Sequence, residues 1–147
     1  MKFSIPKIRS AFGNKKAVKQ IQNDINTDDI IKSIEDKAFA VSEQNVMYAS
    51  VKDLGGFFYF KTIIVGSFKI KTMKGAKLHV TADDFNLELK TDMDEFESDH
   101  SNASHIYMTR IDFQIEEDDI PKLNQSNINN MQLISKKEIL DFELFTT

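Results

Sequence analysis

From Gly56 to Lys90 the chain is a series of strand-length apolar runs separated by turn residues, a pattern that commits it to antiparallel β structure. Phe57-Phe58-Tyr59-Phe60-Lys61-Thr62-Ile63-Ile64-Val65 is aromatic and β-branched, which suits a pleated surface and crowds a helix. The run breaks at Gly66-Ser67, where a two-residue hairpin is expected. Beyond it Phe68/Ile70/Thr72 alternates with Lys69/Lys71, Leu78/Val80 with Lys77/His79/Thr81, and Phe85/Leu87/Leu89 with Asn86/Glu88/Lys90. A period of two sends the apolar set to one face and the charged set to the other. The 57–65 run lacks this alternation, as a central strand covered on both faces would. Lys74-Gly75 and Asp83-Asp84 supply the next turns.

The longest clean alternation is Tyr107/Thr109/Ile111/Phe113/Ile115, which reads as another strand, and Leu140/Phe142/Leu144 share one face near the end of the chain. A further strand is expected over 46–51, and Met131 to Ile134 is a short apolar run. Helical spacing is confined to the first part. Val18, Ile21 and Ile25 predict a helix over 17–25, capped by Asn14. Thr27 reads as the N-cap of a second helix over about 28–37, with Asp28 and Asp29 in its first turn and Ile30, Ile31, Ile34 and Ala38 as its apolar stripe. The acidic, then Ser/Asn-rich stretch 92–104 reads as a long mobile loop, and 124–130 as a shorter polar one.

Strand spacing and turn signals together predict a mainly β fold: an antiparallel β-sandwich, meander or incomplete barrel of about seven strands, with one or two short N-terminal helices. The 147 residues suit a single domain, in which 1–26 is a basic, helical segment set apart and 46–145 is the β core. The expected core is Phe58, Phe60, Ile63, Val65, Phe68, Ile70, Leu78, Val80, Phe85, Leu87, Leu89, Ile111, Phe113, Ile115, Leu140, Phe142 and Leu144.

Cysteine is absent, so disulfides and thiolate chemistry are ruled out, which fits a reducing compartment. The basic start of the chain is not followed by the apolar run of a signal peptide, and no stretch is apolar enough to cross a membrane as a helix. A soluble, cytoplasmic protein is expected. The net charge of −4 is unevenly spread. Residues 1–19 and 61–77 hold lysine and arginine without an acid, whereas the charged residues of 83–99 are all acidic except Lys90, an asymmetry that can steer a partner or be neutralised between neighbouring strands.

Candidate chemistry is sparse. Asp99, His100 and His105 are the residues that could gather around a divalent metal, although their spacing matches no common zinc pattern. Asp92-Met93-Asp94-Glu95-Phe96-Glu97-Ser98-Asp99 has the acidity of a calcium loop but lacks the glycine and the helical flanks of an EF-hand. No nucleophile elbow, phosphate-binding loop or dinucleotide fingerprint is present, so neither a catalytic residue nor a cofactor is assigned. Lysines interleaved with aromatics over 57–71 suggest a single-strand platform, but parity sends Phe68 and Ile70 away from Lys69 and Lys71, and nucleic acid is not expected. Phe3, Ile5, Ile8 and Phe12 among six basic residues make membrane contact the weaker option. The reading is therefore a non-catalytic binding module for another protein, contacting it through Asp92, Asp94, Glu95 and Glu97 or through Lys69 and Lys71. The alternatives are a small-ligand or lipid-binding β domain and a hydrolase or metal-assisted enzyme with a loop-borne site.

Overall fold

Strand pairing organises the chain around its longest hairpin. The computed structural model describes residues 25–100, 105–124, 127–136 and 138–145. The helix expected over 17–25 lies outside them apart from Ile25. A short helix, α1 (Thr27–Ser33), is followed by β1 (Ala40–Val41), β2 (Asn45–Leu54), β3 (Phe57–Gly66), β4 (Lys71–Thr72), β5 (Lys77–Thr81), β6 (Asn86–Lys90), β7 (Phe96–Glu97), β8 (Asp99–His100), β9 (Tyr107–Ile115), a 3₁₀ turn (Glu117–Leu123), β10 (Asn130–Ser135) and β11 (Glu138–Leu144). The mainly β, antiparallel class expected from the alternation is the one observed, with more strands than the seven expected.

Nine strands form one sheet in the order β6-β5-β10-β11-β1-β2-β3-β9-β8, and β4 pairs with β7 in a small ribbon. The sheet curls until its β6 edge returns to β9, where Thr91 bridges Phe113 and the Asp92 N–H donates to the Asp112 carbonyl at 2.8 Å. An incomplete barrel results instead of two stacked sheets.

The first hairpin lies earlier in the chain than expected. Gly66-Ser67 is not a hairpin; the hairpin lies at Gly55-Gly56, where both residues have positive φ (66° and 90°) and the Asp53 carboxylate accepts the Gly56 N–H at 2.9 Å. Because β3 pairs with β2 on one side and β9 on the other, no edge remains beside it for residues 68–72. Gly66 stands against the Gln44 carbonyl and Asn45 so tightly that a β-carbon would overlap them. The chain therefore crosses away after Gly66, and only Lys71–Thr72 of the expected strand pairs. Its parity nonetheless holds, with Phe68, Ile70 and Thr72 buried and Lys69 and Lys71 exposed.

Parity on β3 also divides the apolar residues into two cores. Phe60 and Ile64 point into the barrel with Met47, Leu78, Phe113, Met131, Leu133 and Phe142. Ile63 and Val65, expected in that same core, instead face outward and pack with Val46, Tyr48 and Met108 beneath Ile30 and Ile34 of the α1 region. Ile30 is fully buried, worth roughly 1.5–3 kcal/mol in transfer from water. Its helix is capped by Asn26 rather than Thr27: the Asn26 Oδ1 accepts the Asp28 N–H at 2.9 Å. It stops at Ser33 rather than near 37, because Ile34 turns to extended geometry and carries the chain along the sheet. Among the described residues no helix is long and apolar enough to cross a membrane.

Part of the expected 92–104 loop is regular. β7 pairs with β4 and β8 with β9. Between them the Ser98 hydroxyl accepts the Ile70 N–H at 2.9 Å and shares a 2.6 Å hydrogen bond with the buried Thr109 hydroxyl.

Candidate functional site

The curled sheet does not close along its seam. Extending the Thr91–Phe113 register would set Lys90 opposite Gln114 and Leu89 opposite Ile115, but among the described residues the bridge stays isolated. A groove of about 680 Å³ occupies this opening, lined by β6 at Glu88–Lys90, by Gln114 to Glu117 and Asp119, and by Gly56 to Tyr59 at the start of β3. Two parts of this lining, β6 and the end of β9 at Gln114 and Ile115, are strand edges, which present backbone donors and acceptors that a closed barrel would satisfy internally.

Side-chain alternation gives the groove two layers. On the barrel side lie Leu89 and Ile115, both buried, and half-buried Phe58. On the solvent side lie Phe57, Tyr59, Glu88, Lys90, Gln114 and Glu116. Phe57 is 71% exposed and sits directly across the hairpin from Leu54, which is 57% exposed. The two form a small exposed apolar pair at the tip of the β2–β3 hairpin.

Carboxylates dominate the charge at the rim. Glu88 accepts a hydrogen bond from Lys77, with Nζ 3.2 Å away, and this bond holds its carboxyl below the usual glutamate value against the opposing effect of desolvation; the Lys77, His79 and Lys90 charges act in the same direction as the bond. Lys122 holds Asp119 at 2.7 Å and lies over the Phe85 ring. Glu116 and Glu117 are exposed and make no ion pair among the described residues.

The residues singled out in the sequence lie elsewhere. Asp92 accepts from Gln114 Nε2 at 3.0 Å, the Asp94 carbonyl accepts the Gly75 N–H at 2.7 Å, and Glu97 faces Lys71 across the β7–β4 ribbon. Glu95 is exposed beside them. Lys69 stands 5.4 Å over the Tyr107 ring, whose other contact is an edge-to-face stack with His100. Asp99 is on β8 opposite Met108, and His105 adopts positive φ in the turn before β9. Among the described residues no three His, Cys, Asp or Glu side chains converge as a metal site would require. Asp92, Asp94 and Lys69 are thus engaged with neighbouring segments, Glu97 shares a register position with Lys71, and no groove collects all of them.

A small depression of about 130 Å³ brings Asp92 and Glu95 beside Arg110 and Asp112, and two larger ones carry less chemistry than the seam. One, about 620 Å³, lies where two-residue β1 leaves β11 uncovered, and its walls mix Val41, Ile139 and Leu140 with Glu43, Gln44 and Asp141. The other, about 290 Å³, lies on the outer face between Lys52, Lys61 and Arg110, where Asp112 already sits 3.9 Å from Lys61. What distinguishes the seam is that the β6 edge faces the end of β9 beyond a single bridge, over buried Leu89 and Ile115 and beside exposed Phe57. Sequence reasoning missed it because Phe57, Glu88 and Gln114 are far apart in the chain, and only Phe57, an aromatic beside a glycine turn, carried a local signal.

Comparison with protein-family models, with curated proteins and with solved structures returns no significant match, so the geometry alone carries the functional reading.

Proposed function

We propose that this protein is a non-catalytic binding module that accepts an extended segment of another protein in the opening between β6 and β9. The observation that supports it is the interrupted ladder: one bridge at Thr91–Phe113, then two strand edges flanking a groove floored by Leu89 and Ile115. An added strand satisfies such edges with main-chain hydrogen bonds, while alternate side chains supply specificity. The lack of cysteine suits a reducing, cytoplasmic setting for this role.

Because the chain has no cysteine, a single one can be placed at the groove mouth and labelled alone. Peptides selected from an extended random library should bind the Gln114→Cys protein before labelling and lose it once a bulky maleimide is attached. The same label at Lys32→Cys, on the exposed side of α1, should leave binding intact. Equal loss at both positions, or none at either, would refute the reading.

A further inference from the structure

Resting on the peptide-in-seam reading, we infer that the segment this groove takes alternates apolar residues with lysine or arginine. The pleat decides this. Residues side by side on adjacent strands share a face, so a strand laid between β6 and β9 must match Leu89 and Ile115 on one side and Glu88, Lys90, Gln114 and Glu116 on the other. Its inward positions meet the apolar floor. Its outward positions meet a rim where Glu88, Glu116, Glu117 and Asp119 outnumber Lys90.

Two of those carboxylates are already engaged, Glu88 with Lys77 and Asp119 with Lys122, which leaves Glu116 and Glu117 as the charges that select. Both are exposed, so a cation reaching them loses little hydration and the contact is screened by salt. The five residues of β6 span about 17 Å, enough for an equally short segment with two or three outward cations. An anionic or uniformly apolar strand would fit the floor and be repelled or left unpaired at the rim.

The test uses the full chain and two fluorescent peptides, one alternating valine with lysine and one alternating valine with glutamate. Binding is read by anisotropy, and the footprint by amide shifts at Leu89, Lys90 and Gln114. The lysine peptide should bind about tenfold tighter than the glutamate peptide, and Glu116→Lys with Glu117→Lys should invert the preference without lowering the melting temperature. Equal binding of both peptides with the footprint at the seam would overturn the charge inference while leaving the strand-binding reading in place. No seam footprint with either of these peptides, nor with any library-selected one, would remove the reading itself and the inference with it.

Discussion

The Asn45 side chain, buried at the start of β2, accepts the backbone N–H of Phe68 through Oδ1 at 2.9 Å. Ser67 donates its own N–H to the Gln44 carbonyl, so the chain leaving β3 is tied at two successive residues to the strand it has just paired with. Gly66 is needed between them because its close approach to Gln44 and Asn45 leaves no room for a side chain. This knot, and not a hairpin, redirects the chain toward β5.

Removing the acceptor leaves the buried Phe68 N–H without its partner. Asn45→Ala should therefore cost about 1–3 kcal/mol in urea unfolding, more than a typical surface substitution. A loss below about 0.5 kcal/mol would mean that the crossing is held by packing alone.

The two ends of the Phe series should separate cleanly. Phe113 is fully buried at the single bridge between the two ends of the curled sheet, and Phe113→Ala should destabilise by about 3–5 kcal/mol. Phe57 is exposed, and Phe57→Ala should stay within about 0.5 kcal/mol of the parent protein while weakening seam peptides. Thermal melts and anisotropy on the same samples check both halves.

Ser98 joins three elements through one hydroxyl. Ser98→Ala should destabilise by about 1–3 kcal/mol, since it strips the Ile70 N–H of its acceptor and the buried Thr109 hydroxyl of its partner. Hydrogen exchange at Ile70 should accelerate relative to the β2 and β3 amides.

Alkaline pH probes the outer core. Tyr48 is buried under α1, and burial first, then the nearby Asp36 charge, raises its phenol well above the ordinary value of 10.0. The folded chain then keeps a proton that the unfolded chain releases, so this contribution is complete below pH 10 and fades as the pH climbs. Stability should fall by about 1.4 kcal/mol per pH unit above that point, and Tyr48→Phe should remove that component of the slope. Identical slopes for the two proteins would show that Tyr48 ionises without unfolding.

Legibility in the sequence followed the range of each interaction. The strand over Tyr107 to Ile115 is read directly from its alternation, and Phe68/Lys69 parity survives even though most of that run never pairs. The N-cap was misplaced by one residue because Asn26 and Thr27 are both competent caps, and backbone geometry chose Asn26. Met47, Met131 and Leu133 were missed as core, since short runs around them give weak periodicity, yet neighbours on both sides bury them. The expected interaction residues at 92–97 are legible as acidic, but not their tertiary setting: Asp92 bonded to Gln114 of β9, the Asp94 carbonyl to the Gly75 N–H between β4 and β5, and Glu97 across from Lys71 of β4.

By itself, then, the sequence determined that this chain is an antiparallel β protein and which face is apolar on its cleanly alternating strands, because a period of two and the turn residues act over neighbouring positions. Only the tertiary structure decided that Gly55-Gly56 turns while Gly66 crosses, that Ile63 and Val65 belong to a second core under α1, and that β6 meets β9 at a single bridge. Those outcomes depend on which distant strands become neighbours and how far the sheet curls, and pairing between remote segments leaves no trace in local alternation.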